Sequence, residues 1–142
     1  MNPLLKDVTV LILTHNRQNC LDLTLPYWEK NGVRTLVIDQ SPKEYKKAKN
    51  YLNCNYLYAD KSFSERCSIA ARTLESRYTI LISDDELYIP SALLKMKKFL
   101  DEKSDFISVG GMSIAVWNYG PRLCGTWAYK KTFKHENLEN NP

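Results

Sequence analysis

Short apolar runs alternate along the chain with segments in which apolar residues recur every three or four positions. Runs of this kind, rich in β-branched residues, are typical of strands buried on both faces of a sheet. The recurring spacing is typical of amphipathic helices. The pattern predicts six strands, "VTVLIL", "RTLVIDQSP", "NYLYADKS", "YTILIS", "DFISVGG" and "SIAVWNY".

The first predicted helix begins at Asn19, after which apolar residues lie at positions i, i+4 and i+7. Asn31 and Gly32 supply a stop signal for it. Pro26 lies inside this segment and is expected to kink or shorten the helix, because proline lacks the N–H that a helix interior needs. The segment "PKEYKKAKNYL" predicts a short basic helix.

Two later helices carry clear start signals. Ser62 and Glu65, three positions apart, have the form of a capping box that opens the helix "FSERCSIAARTLESR". Pro90 suits the first turn of the helix that follows the fourth strand. Strands alternating with helices at this spacing indicate βαβ units, and therefore an α/β protein with a mostly parallel sheet and helices on both faces.

Length and composition limit the classes of protein to consider. The 142 residues suit one domain, and 44% apolar with 25% charged residues is the balance of a soluble globular protein. The net charge of +4 comes with short lysine clusters, which we interpret as solvated helix faces. Because no finger, basic helix or aromatic sheet motif accompanies the charge, no nucleic-acid partner is expected.

The cysteines and the N-terminal segment indicate the cellular compartment that we expect for the protein. Four cysteines occur without a CxxC pair or a regular close spacing, so they are expected to be reduced thiols. The apolar run near the N-terminus is too short for a membrane span or a secretory signal. We therefore expect a cytoplasmic protein with no membrane span.

Polar residues follow each of the first four predicted strands. In an open parallel sheet the carboxyl ends of the strands meet at one edge, where ligands bind. The residues placed there are Thr14, His15, Asn16 and Arg17, then Asp39, Gln40 and Ser41, then Asp60 and Lys61, and finally Asp84, Asp85 and Glu86.

The three acids after the fourth strand have two interpretations. Adjacent carboxylates in a cleft repel each other, and a divalent cation such as Mg²⁺ or Mn²⁺ relieves the repulsion while binding diphosphate oxygens. Alternatively, Asp84 or Asp85 caps the following helix. A cap needs only one side chain and three are present, so the cluster favours the metal site.

Arg66 and Asp39 also have two interpretations each. Arg66, one turn into its helix, could neutralise a phosphate with its planar fork of donors, or it could be a surface arginine paired with an acid. Asp39 could accept a hydrogen bond from a nucleobase or ribose, or it could shape the turn with Ser41 and Pro42.

The sequence lacks the residues and motifs that several other classes of site and enzyme need. His15 is the only histidine near this edge, so a histidine-based metal site is not supported. No GxSxG turn and no glycine-rich phosphate loop occurs, which argues against a hydrolase and a P-loop protein. A nucleotidyltransferase is the alternative enzyme class, although its glycine-rich basic loop is missing from "THNRQN".

The order of three segments, "VTVLILTHNR", "LVIDQS" and "FSERCSIAARTLESRYTILISDDELYIPSALLKM", resembles the nucleotide-binding half of family 2 glycosyltransferases of the GT-A fold. The likeness covers roughly residues 7 to 111. It implies that Thr14 and Asp39 meet the base and that Arg66 faces the phosphates. The acids take the place of the family's Asp-x-Asp motif, with Asp85 as the principal metal ligand.

The resemblance implies metal-assisted transfer of a sugar from a nucleotide-diphosphate donor to a hydroxyl of a glycan, lipid-linked or protein acceptor. Residues 1–120 would form a Rossmann-like GT-A domain, and residues 121–142 the start of an acceptor region or a frayed tail. No acceptor base is identified, so a truncated, non-catalytic nucleotide-sugar-binding module is an alternative. The nucleotide-binding set is Thr14, His15, Asn16, Arg17, Asp39, Ser41, Arg66 and Asp84, and the metal set is Asp85, Asp84 and Glu86.

Overall fold

A computed structural model of the chain describes residues 2–110 and, beyond them, the backbone of residues 113–117, 120–124 and 128–130. The chain forms two compact units, Met1–Tyr88 and Ile89–Pro142.

The first unit is built on four parallel strands in the spatial order β3-β2-β1-β4. The strands are β1 (Val8–Thr14), β2 (Arg34–Asp39), β3 (Cys54–Tyr58) and β4 (Tyr78–Ile82). They are joined by helix α1 (Gln18–Lys30), a 3-10 helix (Lys46–Asn50) and helix α2 (Phe63–Thr73), and a further 3-10 helix (Pro3–Leu5) precedes β1. The predicted α/β class with a parallel sheet is confirmed.

The two helices lie on opposite faces of the sheet. From β1 the chain steps outward to β2 and β3, and it then returns across the sheet to place β4 on the other side of β1. Since parallel crossovers are right-handed in nearly all proteins, this reversal of direction puts α1 and α2 on opposite faces. On the α2 face, Ala70 packs with Leu11, Leu36 and Ile38 in one buried cluster.

Helix α1 passes through Pro26 and continues to Lys30, so the proline does not shorten it. Pro26 lies on the exposed side of the helix, where water can satisfy the backbone carbonyl that loses its partner. The stop predicted at Asn31 and Gly32 is confirmed, because Asn31 is the C-cap and Gly32 has a positive φ of 63°.

The predicted start signal of α2 is confirmed. Ser62 caps α2, and its hydroxyl and the Glu65 carboxylate form the reciprocal bonds of a capping box. The predicted basic helix is present only as the short 3-10 helix, with exposed lysines on its surface. None of the described helices is long and apolar enough to cross a membrane.

The second unit contains helix α3 (Pro90–Glu102), which has Pro90 in its first turn as predicted. It also contains two antiparallel pairs, β5 (Phe106–Val109) with β8 (Ala128–Lys130) and β6 (Ser113–Trp117) with β7 (Gly120–Cys124). Strand β8 and all of β7 except Gly120 fall in the predicted region 121–142, whose remaining residues lie outside the described part of the chain.

Candidate functional site

The point where the strand order reverses lies between β1 and β4. In open parallel sheets, the crevice beside such a reversal is where ligands bind. Thr14 ends β1, and Asp84 and Asp85 follow the end of β4. We call these residues, together with Arg17 and Arg66, the switch-point site.

A buried hydrogen bond joins the two strand ends. The Thr14 hydroxyl donates to Asp84 Oδ2 at 2.6 Å, and both residues are almost wholly buried. The second carboxylate oxygen, Asp84 Oδ1, lies 3.0 Å from Arg17 Nη1. Both oxygens of this buried carboxylate are therefore satisfied, as a buried charge requires.

Arg17 also reaches the neighbouring acid. Its Nη2 donates to Asp85 Oδ2 at 2.6 Å, so one guanidinium bridges two carboxylates. The hydrogen bond from Arg17 lowers the pKa of Asp85 below its usual range. The same bond, followed by the charge of Asp84, raises the pKa of Arg17. Each group thus stabilises the charged form of the other.

The loop that places Arg17 has an unusual backbone. Asn16 adopts a positive φ of 55°, a conformation that asparagine tolerates better than most residues. Its backbone N–H donates to Ser41 Oγ at 2.7 Å, which ties the loop after β1 to the loop after β2. The bond connects two of the predicted nucleotide-binding segments.

Arg66 enters the same edge from the first turns of α2. The residue is only 6% exposed, and its Nη1 donates to the Thr14 carbonyl at 3.0 Å. Its Nε is buried without a hydrogen-bond partner, and within residues 2–110 no carboxylate pairs with the guanidinium. The interpretation of Arg66 as a surface arginine paired with an acid is therefore wrong for the described part of the chain.

Asp39 is wholly buried and accepts several hydrogen bonds from its neighbours. Its Oδ1 accepts from the Ser41 N–H at 2.7 Å and from the Ser41 hydroxyl, and its Oδ2 accepts from the Tyr56 hydroxyl at 2.8 Å. These are the contacts of the turn-shaping interpretation. Contact with a nucleobase stays a prediction for Asp39.

Three further predicted residues, His15, Asn16 and Glu86, bond to loop residues near the strand ends. His15 and Asn16 are exposed, and His15 Nδ1 lies 3.0 Å from the Gln40 carbonyl. Glu86 turns back on its own loop, where its carboxylate accepts from the Ser83 N–H at 2.9 Å. It therefore does not converge with the two aspartates.

The capping interpretation of the acids is wrong. Helix α3 begins at Pro90 with Ile89 as its N-cap, and no side chain makes the capping bond there. Asp84 and Asp85 lie several residues earlier and are joined to Arg17 instead.

A divalent metal ion does not fit the acids in this arrangement. Among the described residues, no group of three or more histidine, cysteine or acidic side chains is placed to hold a metal ion. Arg17 lies between the two aspartates, and Glu86 points away to Ser83. A metal ion at this place would require the guanidinium to leave.

Two contacts of the site are not predictable from local sequence. The Tyr56 hydroxyl, which donates to Asp39, lies in a strand predicted from its apolar residues, and that pattern does not indicate which group the hydroxyl meets. Arg17 was expected at the nucleotide, but its bridge to Asp84 and Asp85 depends on β4 lying next to β1. The positions of Arg17 and Asp85 are 68 residues apart, so no local pattern indicates the bridge.

The fold and the site define a class. The first unit is an α/β protein with an open, Rossmann-like parallel sheet and polar residues gathered at its strand-order reversal. No protein-family model matches the chain, and no curated protein sequence matches it at a significant level.

Proposed function

We propose that this chain binds the diphosphate of a nucleotide sugar at the switch-point site, as the donor-binding half of a GT-A glycosyltransferase. The proposal joins the resemblance in sequence to the geometry of the sheet edge. It assigns the phosphates to Arg66 and the base to the linked loops that carry Asn16, Asp39 and Ser41.

The buried guanidinium of Arg66 carries the proposal. Burying a cation without a compensating anion is unfavourable, and such groups are normally paired. Arg66 uses one hydrogen bond to a neutral carbonyl and has no acid beside it among the described residues. A phosphate oxygen is the ligand that a planar guanidinium binds best.

The other charges of the site support the same assignment. Asp84 and Asp85 share the guanidinium of Arg17, and Asp39 is held by neutral donors. Arg66 is thus the cation of this site without an acidic partner in the described residues. An incoming diphosphate would give Arg66 the anionic partner that it lacks.

The reaction served by this binding is transfer of the sugar to an acceptor hydroxyl. Donor groups fixed beside the diphosphate stabilise charge as it develops on the leaving group. Acceptor deprotonation needs a carboxylate or similar base, and none is assigned here. A non-catalytic nucleotide-sugar-binding module remains the alternative proposal, since it shares the same binding step.

Calorimetric titration of the whole chain with UDP, GDP and ADP, and with uridine, guanosine and adenosine, tests the proposal. We expect at least one nucleoside diphosphate to bind about tenfold or more tightly than its nucleoside, because one charge-assisted contact accounts for a factor of this size. Affinity should fall as salt is added. If no nucleoside diphosphate binds better than the nucleoside, the proposal is wrong.

A further inference from the structure

The acid pair, Asp84 and Asp85, already has a cation of its own. One Arg17 nitrogen lies 3.0 Å from Asp84, and the other donates to Asp85 at 2.6 Å. A forked contact of this kind uses the planar guanidinium in the geometry that suits carboxylates. Arg17 therefore already relieves part of the repulsion that first suggested a metal ion.

We propose that Arg17 occupies the place that the sequence predicts for a divalent metal ion, so that the two cations compete for the acid pair. The ligand-free protein then binds Mn²⁺ or Mg²⁺ only weakly. The inference rests on the proposed function in one respect: UDP is expected to bind the native protein without added metal, because Arg17 already occupies the place of the ion and offsets one of the two negative charges of the acid pair.

Arg17 is expected to compete with a metal ion rather than to block it permanently, because the side chains of Arg17 and Asp85 are about half exposed. The Arg17 side chain is 47% exposed and the Asp85 side chain 51% exposed, whereas Asp84 is 4% exposed. Exposed side chains change rotamer within nanoseconds, so the guanidinium can leave without unfolding its surroundings. The Thr14 hydroxyl would still hold Asp84 Oδ2 after Arg17 has left.

The size of the effect follows from the populations. A metal ion that binds only when Arg17 is displaced has its affinity reduced by the fraction of time that the pair is open. If Arg17 covers the pair for about nine-tenths of the time, its removal strengthens metal binding about tenfold. Loss of one nearby positive charge acts in the same direction.

Equilibrium titration with Mn²⁺ alone, followed by the spin-resonance signal of the free ion, tests the inference. Arg17→Met should bind Mn²⁺ at least tenfold more tightly than the native chain. Arg17→Lys should lie between the two, because one ammonium cannot reproduce the fork. Arg72→Met is the matched control, since it removes one exposed positive charge beside Thr9 and Arg34 at the opposite edge of the sheet. Its Mn²⁺ affinity should equal the native value.

Two results would overturn the inference: tight Mn²⁺ binding by the native chain, or equal affinities for the native chain and Arg17→Met. Circular dichroism checks that each variant is folded. If Arg17→Met does not fold, the NMR signal of the Arg17 Nε–H is followed in the native chain instead of comparing the Mn²⁺ affinities of the two proteins. That signal must shift during a Mg²⁺ titration, and an unmoved signal at saturation contradicts competition.

A UDP arm separates this inference from the proposed function. UDP is titrated into the native chain with EDTA and again with Mn²⁺. Binding of UDP only in the presence of Mn²⁺ contradicts the inference and leaves the proposed function standing. Absence of binding by UDP, GDP and ADP, each titrated under both conditions, contradicts the proposed function, while the Mn²⁺ comparison still decides the role of Arg17.

Discussion

At the scale of single residues, the buried charges near the carboxyl edge of the sheet differ in how they are satisfied. Asp39 accepts from Ser41 and from the Tyr56 hydroxyl, so its buried charge is compensated by fixed dipoles. Arg66 is also buried, at 6% exposed, but makes one hydrogen bond, to the Thr14 carbonyl. The first arrangement holds a loop in place, and the second leaves donors for a ligand.

The Tyr56 hydroxyl provides a test of the satisfied arrangement. It donates to Asp39 and accepts the Tyr45 backbone N–H, each at 2.8 Å. Tyr56→Phe leaves both of these groups without their partner, so we expect a loss of about 1–2 kcal/mol in the free energy of unfolding. Urea denaturation followed by fluorescence measures it.

Tyr58→Phe is the matched control, because Tyr58 lies two positions further along the same strand and is 46% exposed. Its free energy of unfolding should stay close to the native value. Equal stabilities of Tyr56→Phe and the native chain would show that the Asp39 network does not stabilise the fold.

At the scale of elements, the end of α1 shows how local sequence determines structure. The Gly32 N–H bonds the Glu29 carbonyl and the Val33 N–H bonds the Trp28 carbonyl, which is the Schellman arrangement around a left-handed residue. Glycine adopts this conformation without the clash that a Cβ causes. The stop signal was readable from the sequence because it depends only on neighbouring residues.

Gly32→Ala tests this ending. Alanine at a φ of 63° should destabilise the chain by about 1 kcal/mol, which for a protein of this size lowers the melting temperature by about 3 °C. Differential scanning calorimetry measures the shift. An unchanged or higher melting temperature would mean that the helix end does not need the left-handed glycine.

Other elements depend partly on neighbouring residues in the sequence and partly on packing. The strands β1 to β4 were predicted from their apolar runs, and the capping box of α2 from Ser62 and Glu65. Pro26 was expected to kink or shorten helix α1, but the helix continues to Lys30 because the proline lies on its exposed side. Exposure of one helix face is set by packing, which a single-residue rule does not include.

At the scale of the whole first unit, the strand order determines which polar residues meet. The sequence places acids after β4 and polar residues after β1, but only the order β3-β2-β1-β4 brings these two ends together. The contacts of Arg17 with the acid pair and of Thr14 with Asp84 follow from that neighbourhood. The sequence therefore predicts which polar residues lie at this edge but not the pairing of their charges.

The central claim is that this edge binds a nucleoside diphosphate through Arg66. The most direct measurement compares UDP binding by the native chain, Arg66→Met and the control Arg72→Met in one calorimetric series. We expect Arg66→Met to lose at least tenfold in affinity, or about 1.4 kcal/mol, while remaining folded, and Arg72→Met to bind as the native chain does. Equal affinities of Arg66→Met and the native chain would contradict the account.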